Sequence, residues 1–229
     1  MRISKLLEIA TANYDDFNQI YEAVKDEDGW EKIKLDSSEK DKIQQAMELV
    51  DKQTYELMVP PLKELKRRGN KYKFNHEQQK NCNFGNSYSA LNTRTKKSSN
   101  KWLWFGLYYE YLSKEGPWGL EMWISTTELS KMEPSPKRYA LEKKLKKIVG
   151  NEWNTTEELR SYLEKIEISE EDIQEEMEEG GVYFNQPIEL QPGAEISKIK
   201  ESIVEIGDRC FIQKIPELKK FWQNELQGI

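Results

Sequence analysis

The chain has few of the residues from which common catalytic and metal sites are built. Its 229 residues include one histidine, His76, and two cysteines, Cys82 and Cys210. A catalytic triad or metal site built from several histidines is therefore excluded, and two cysteines are too few for a disulfide framework or a cysteine zinc site. We predict reduced thiols and a cytoplasmic protein.

Other signals of common functions are also missing. The sequence contains neither the Gly-x-x-x-x-Gly-Lys-Ser/Thr loop nor the Gly-x-Gly-x-x-Gly turn, so it gives no support for nucleotide binding of those kinds. No apolar run approaches the roughly 18 residues of a transmembrane helix. The N-terminal segment reaches acidic residues too early for a secretory signal. We therefore predict no membrane partner.

Charge is distributed unevenly along the chain. The net charge of −6 hides a basic middle, residues 63–150, with 19 basic and 8 acidic side chains and a net charge of +11. Residues 1–62 carry a net −6 and residues 151–229 a net −11. Such asymmetry favours an anionic partner for the middle segment, unless the basic and acidic segments face each other in the fold.

The fold is expected to form around an aromatic stretch at residues 101–125, KWLWFGLYYEYLSKEGPWGLEMWIS, which holds four of the seven tryptophans. Aromatic and branched side chains favour strands, so we predict a β-hairpin that turns at residues 113–117. Both of its faces are apolar and need cover. The predicted fold class is α+β, mostly helical, with a central antiparallel aromatic-rich sheet covered by helices on both sides.

We divide the chain into an N-terminal helical region, residues 1–69, and an α+β region, residues 70–229, that together form one compact unit. The second region has the basic middle and an acidic helical C-terminal part. In the first region, apolar spacing predicts a helix over 39–58. The pair Pro60-Pro61 should end it, because proline lacks an amide donor, and start a short helix that closes at Gly69.

Three residues are candidates for catalysis: Glu110, Glu121 and His76. A restriction-type nuclease holds Mg²⁺ on carboxylates of a hairpin, with an acidic-x-Lys pair on the second strand. Neither glutamate is followed two residues later by lysine. If Leu112 pairs with Trp118, the two glutamates also face opposite sides of the sheet. We therefore predict no metal site, and Mg²⁺ only if the chain is a divergent nuclease.

Binding chemistry has better support, because basic side chains alternate with aromatic ones through residues 66–101. Such a pattern can contact phosphates and stack on bases, although the same aromatics could form a core beneath ordinary surface lysines. A second basic group lies on a predicted helix at 137–149. The nucleic-acid-binding candidates are Arg67, Arg68, Lys71, Lys73, Lys96, Lys97, Lys143, Lys144 and Lys147.

The order of features in residues 102–163 resembles that of uncharacterised bacterial domains found beside restriction-type nucleases and other defence genes. The similarity is carried by WLWFGLYYEYL, by GLEMWIS, and by a Lys-rich helix closed by glycine and followed by tryptophan, ALEKKLKKIVGNEW. It covers about a quarter of the chain. The resemblance implies a DNA-related or host-defence setting and transfers no catalytic residue.

Three functional hypotheses follow. The first is a nucleic-acid-associated protein, of a bacterial or phage defence setting, that binds DNA or RNA through residues 63–150. The second is an interaction or regulatory module whose acidic flanks, in particular residues 169–180, bind a basic protein partner. The third is a divergent Mg²⁺-dependent nuclease that uses Glu110 or Glu121. We favour a binding protein over an enzyme.

Overall fold

The computed structural model describes residues 1–25, 36–78, 84, 88–94, 101–112, 114 and 118–227. The cysteine Cys82 and the candidate lysines Lys96 and Lys97 lie outside these residues. The helices are α1 (Lys5–Ala12), α2 (Tyr14–Lys25), α3 (Ser37–Arg68), α4 (Pro136–Val149), α5 (Thr156–Lys165), α6 (Glu170–Glu176), α7 (Ile196–Gly207) and α8 (Ile215–Phe221). The strands are β1 (Asn75–Gln78), β2 (Tyr88–Arg94), β3 (Lys101–Tyr111), β4 (Trp118–Ser125), β5 (Trp153–Thr155) and β6 (Val182–Phe184).

The six strands form one antiparallel sheet in the order β1-β2-β3-β4-β6-β5. The longest strand, β3, and its hairpin partner β4 lie at its centre, as the aromatic stretch predicts. With helices on both faces of this sheet, the α+β fold class is confirmed. No helix among the described residues is long and apolar enough to cross a membrane.

The register of the central hairpin differs by one residue from the expected one. Tyr111 pairs with Trp118, so Glu110 lies opposite Gly119 and Glu121 lies opposite Tyr108. A slip of one residue moves every side chain of a strand to the other face. The expectation that Glu110 and Glu121 face opposite sides was therefore wrong, because both lie on the same face.

A close steric fit at Gly106 accompanies this register. Gly106 pairs directly with Trp123, and a Cβ at position 106 would lie 2.9 Å from the Trp123 ring. The pairing of β3 with β4 through Gly106 is regular, whereas that of β2 with β3 shifts between Thr93 and Arg94.

The first face of the sheet carries the larger hydrophobic core. Phe105, Leu107 and Tyr109 of β3 pack there beneath α1, α3, α7 and the C-terminal helices. This core includes residues from Ile3 to Leu226, so both predicted regions contribute to it. The opposite face carries a smaller cluster, in which Trp123 and residues of β6 pack against α5 and α6.

Helix α3 continues through Pro60 and Pro61, so the predicted break at the proline pair was wrong. Proline removes the amide that would bond the carbonyl four residues earlier, at a cost of about 3 kcal/mol in a helix interior. The neighbouring Met58, Leu62 and Leu65 are fully buried under the sheet. This burial holds the helix together across the prolines. The side chain of Asp36 caps the start of the helix.

A buried ion pair joins the second half of the chain. Arg138 and Glu142, one turn apart on α4, are both inaccessible to solvent, with Nε and Oε1 3.2 Å apart. The Arg138 guanidinium also donates to three carbonyls that lie before α4 and after α6, those of Met132, Met177 and Glu178. Glu142 Oε2 accepts from the amide and hydroxyl of Thr156, at 3.0 and 2.6 Å.

We expect Arg138→Met to lower the free energy of unfolding by about 3–5 kcal/mol, because it leaves the Glu142 carboxylate buried without its cation. Urea unfolding of the purified chain at neutral pH measures this change. The control is Lys137→Met, an exposed neighbour, which should alter stability by less than about 0.5 kcal/mol. Equal unfolding midpoints for the two variants would contradict this role of Arg138.

Candidate functional sites

Two groups of side chains have the chemistry of a functional site. The first, which we call the carboxyl–tyrosine cluster, lies between the second face of the sheet and helices α5 and α6. Its members are Tyr108, Glu110, Glu121, Tyr162, Glu176 and Tyr183. Alternation along β3 brings Tyr108 and Glu110 to one side, and pairing with β4 adds Glu121.

Glu121 is a carboxyl buried in the central sheet. Only 1% of its surface is exposed, and Tyr108 donates its hydroxyl to Glu121 Oε2 at 2.6 Å. Burial raises the pKa of Glu121 well above its usual range, although the Tyr108 bond opposes this rise. Burial and the neighbouring carboxyls likewise raise the pKa of Tyr108 well above its ordinary value.

Glu110 is fully buried in β3. At the end of α6, burial, followed by repulsion from Glu175 and Asp172, raises the pKa of Glu176 to about 7, while the neighbouring Glu110 acts in the opposite direction. Glu121 and Glu176 therefore keep their protons to higher pH than exposed glutamates do.

This arrangement gives little support for metal-dependent catalysis at the hairpin. Among the described residues, no group of three or more His, Cys, Asp or Glu side chains could hold a metal ion. Carboxyls that keep their protons are poor Mg²⁺ ligands, because the metal binds the ionised form. Glu121 lies buried in the central strand β4.

The second group, the basic corner, is formed where α3 ends and the chain turns towards β1. It comprises Lys63, Lys66, Arg67, Lys71 and Lys73, all of them exposed. Residues 63–73 carry six cations and one carboxylate. The turn at Gly69 is tight, because a Cβ there would lie 2.5 Å from the Phe74 ring. This turn places the cations of α3 and of residues 71–73 at the same end of the protein.

The cations of the basic corner differ in their contacts. Within the described part of the chain, the four lysines make no ion pair with a carboxylate. Arg67 instead binds Glu64 through two bonds of 2.7 Å, and Arg68 joins the same carboxylate at 3.0 Å. These bonds lower the pKa of Glu64 to about 2, so Glu64 stays ionised and offsets part of the positive charge.

His76, a catalytic candidate, lies on the edge strand β1 and adjoins this corner. Its Nε2 lies 2.8 Å from the Ser89 hydroxyl on β2. Burial, and then repulsion from Lys63 and Lys66, lowers the pKa of His76 to about 4. The imidazole is therefore neutral at physiological pH and adds no charge to the corner. It lies on a different strand from Glu110 and Glu121.

The candidate lysines on α4 lie elsewhere in the protein and are mostly paired. Lys143 contacts Glu157 and Lys144 contacts Glu225, each at 2.8 Å. Of the three candidates on this helix, Lys147 alone makes no ion pair within the described residues. Helix α4 packs beside β5 and β6, whereas the basic corner adjoins β1. The strand order thus places the two predicted basic groups at opposite edges of the sheet.

The acidic segment 169–180 is partly helical and partly buried. The Ser169 hydroxyl caps α6 by accepting a hydrogen bond from the amide of Asp172. Ile173 and Met177 are buried against the second face, so α6 has one apolar side. The exposed Glu171 and Glu175 make no ion pair within the described residues.

A groove of about 510 Å³ lies between α3 and α7. Its walls carry two cations, and both already contact a carboxylate: Arg68 binds Glu64 and Lys200 binds Glu56. The groove therefore offers no uncommitted cation to an anionic ligand.

Several residues of the two groups were not predicted from the sequence as candidate site residues. Lys63 and Lys66 were left out of the candidate set, although their helical spacing with Arg67 places all three on one side of α3. Glu176 lies within an acidic run, and no local signal distinguishes it from Glu175, because its environment depends on how α6 packs against the sheet.

Comparison with protein-family models, with curated proteins and with solved structures finds no match to this chain.

We expect Glu121→Gln to flatten the pH dependence of stability. The folded state keeps the Glu121 proton at pH values at which the unfolded chain, with a pKa near 4.5, has lost it. The free energy of unfolding of the unaltered protein should therefore fall as pH rises above that value, and glutamine removes this contribution.

Urea unfolding midpoints across a pH series provide the measurement. The control Glu133→Gln changes an exposed glutamate and should follow the unaltered protein at each pH. If Glu121→Gln shows the same decline as the control, the buried carboxyl is not protonated.

Proposed function

We propose that the protein is a cytoplasmic nucleic-acid-binding protein that contacts phosphates through the basic corner. The observation that carries the proposal is the net charge of +5 within residues 63–73, folded into one exposed corner. Four lysines there have no carboxylate partner in the described part of the chain. Such lysines can exchange their counterions for phosphates without breaking an ion pair of the protein.

The end of β2 adjoins the basic corner, because the Thr93 hydroxyl donates to the carbonyl of Tyr72 at 3.3 Å. Arg94, the last residue of β2, pairs with Lys101, the first residue of β3. The sequence between them, residues 95–100, contains Lys96 and Lys97. We propose that it contributes to the same contact.

The setting of this proposal rests on the sequence. Residues 102–163 resemble bacterial domains that accompany restriction-type nucleases and other defence genes, and we propose a role of that kind in bacteria or phage. A binding role agrees with a hairpin whose carboxyls are buried. A nuclease that acts through Glu110 and Glu121 would need these carboxyls ionised and open to Mg²⁺.

The proposal predicts a steep salt dependence. Binding of a fluorescent DNA duplex, and of its single strand, should weaken markedly between about 50 and 200 mM salt as counterions are released. Lys66→Glu/Lys71→Glu/Lys73→Glu should bind weakly and should reduce the slope of log affinity against log salt by about 2 to 3. Fluorescence anisotropy measures both quantities.

The matched control reverses three lysines at the other edge of the sheet, Lys137, Lys143 and Lys147. This variant has the same change in net charge and should keep most of the affinity. Equal losses in the two variants would mean that only overall charge matters. Absence of binding at low salt would remove the proposal.

A second candidate function is binding of a basic protein through the acidic segment 169–180. It is favoured by the exposed carboxylates of α6 that make no ion pair within the described residues. Pull-down with Glu171→Lys/Glu175→Lys separates the two functions, because this variant should lose a basic protein partner and retain nucleic acid. Unchanged capture of the partner by this variant would argue against the second function.

A further inference from the structure

We propose that the basic corner binds nucleic acid as an unpaired strand, with Tyr55 and Tyr72 stacking on bases while the lysines beside them contact the phosphates. This inference rests on the proposed function and deepens it, because it names the form of nucleic acid that the corner recognises. Its basis is the position of two accessible tyrosine rings, each of which lies beside a lysine of the basic corner.

The aromatic side chains near the basic corner differ in their accessibility. Residues 66–101 contain four of them. Phe74 and Phe84 are at most 3% exposed, and Tyr88 packs against the smaller hydrophobic cluster. These three rings contribute to the packing of the protein. Tyr72 is only half-buried and lies between the exposed Lys71 and Lys73, so it is the ring of this segment that combines access with neighbouring cations.

Tyr72 is held in place by the turn that follows α3. Its amide donates to the Gly69 carbonyl at 2.9 Å, and its carbonyl accepts a bond of 3.3 Å from the Thr93 hydroxyl. Its ring packs against Phe74 with the ring centres 6.0 Å apart, and Lys71 Nζ lies 4.9 Å from the ring centre. A ring fixed in this way loses little freedom of movement when it binds a base.

Tyr55 supplies the second accessible ring, about two turns before Lys63 on α3. It is 36% exposed. Lys63 Nζ donates to the Tyr55 hydroxyl at 3.0 Å and lies 5.6 Å from the ring centre, so this lysine contacts the ring at its hydroxyl edge rather than over its face. Lys63 therefore leaves the face of the ring to a base and offers its charge to the adjoining phosphate.

A lysine beside an accessible ring suits a single strand better than a duplex. Every base has an aromatic face, so stacking on tyrosine tolerates any sequence. In a duplex both faces of each base are covered by neighbouring pairs, and a side chain reaches them only by unstacking a step. The lysines can contact the phosphates of either form. The two rings therefore add affinity for the unpaired strand alone.

The contact of Lys71 with Tyr72 does not prevent this stacking. Stacking of a base on a tyrosine is stronger than the contact of a lysine with an exposed ring. A base can therefore displace the ammonium group of Lys71, which then contacts a phosphate of the same strand.

Fluorescence anisotropy with probes of one length tests the inference. The probes are single-stranded DNA, single-stranded RNA of the same sequence, the DNA duplex, and an abasic DNA strand that keeps only the sugar–phosphate chain. The unaltered protein should bind single strands more tightly than the duplex, and about fivefold or more tightly than the abasic strand. Tyr55→Leu/Tyr72→Leu should bind single strands about fivefold more weakly per ring removed, with an unchanged salt slope and unchanged duplex affinity.

Three further variants serve as controls. Tyr55→Phe/Tyr72→Phe keeps both rings and should keep the affinity. Tyr139→Leu removes a ring beside a cation at the other edge of the sheet, where the Arg138 guanidinium lies 5.9 Å from the ring centre, and should bind every probe like the unaltered protein. If the double leucine variant does not fold, Tyr55→Leu replaces it, because this side chain is exposed.

The outcomes separate this inference from the proposed function. Tighter binding of the duplex, equal affinity for the intact and abasic strands, or unchanged affinity of the leucine variant for both DNA and RNA would overturn stacking and leave phosphate binding by the basic corner intact. Absence of binding to every probe at low salt would remove the proposed function and this inference together.

Discussion

The arrangement of the second half of the chain depends on one buried ion pair. Arg138 and Glu142 join α4 to the start of α5, to the segment after α6, and, through the amide of Gly181, to the approach to β6. A guanidinium has five donors in a rigid plane. Here that of Arg138 donates hydrogen bonds to the carbonyls of Met132, Met177 and Glu178. These carbonyls belong to irregular segments, which have no helix or strand bonds of their own at those positions. The hydrogen bonds of this pair therefore hold together the junction of α4, α5 and the segment between α6 and β6, where regular secondary structure supplies none.

Charge is separated in space as well as along the chain. The lysines of the basic corner adjoin β1, while those of α4 lie beside β5 and β6 and are largely neutralised by glutamates of α5 and of the C-terminal segment. The alternative explanation of the charge asymmetry, in which basic and acidic segments face each other, therefore describes α4 well. It does not describe residues 63–73, whose lysines remain without carboxylate partners in the described part of the chain.

Much of the fold could be predicted because its signals are local. The predicted helix at 137–149 corresponds to α4, and Gly150 ends it as expected. The errors involve contacts between distant parts of the chain. The prolines of α3 are tolerated because its neighbouring side chains are buried, and the hairpin register depends on a contact between two strands. The burial of Glu176 likewise depends on the packing of α6 against β3. Hence the basic corner was recognised in part, whereas the carboxyl–tyrosine cluster was not.

The fit between Gly106 and the Trp123 ring has a consequence for how this hairpin can vary. Turn geometry usually determines hairpin register, so an added or lost turn residue shifts the strands. Here the close fit of Gly106 against the Trp123 ring, in the middle of the strands, also favours the observed alignment. A change in the length of the connection between Tyr111 and Trp118 would therefore act against a second constraint, one that keeps both buried carboxyls on the same face.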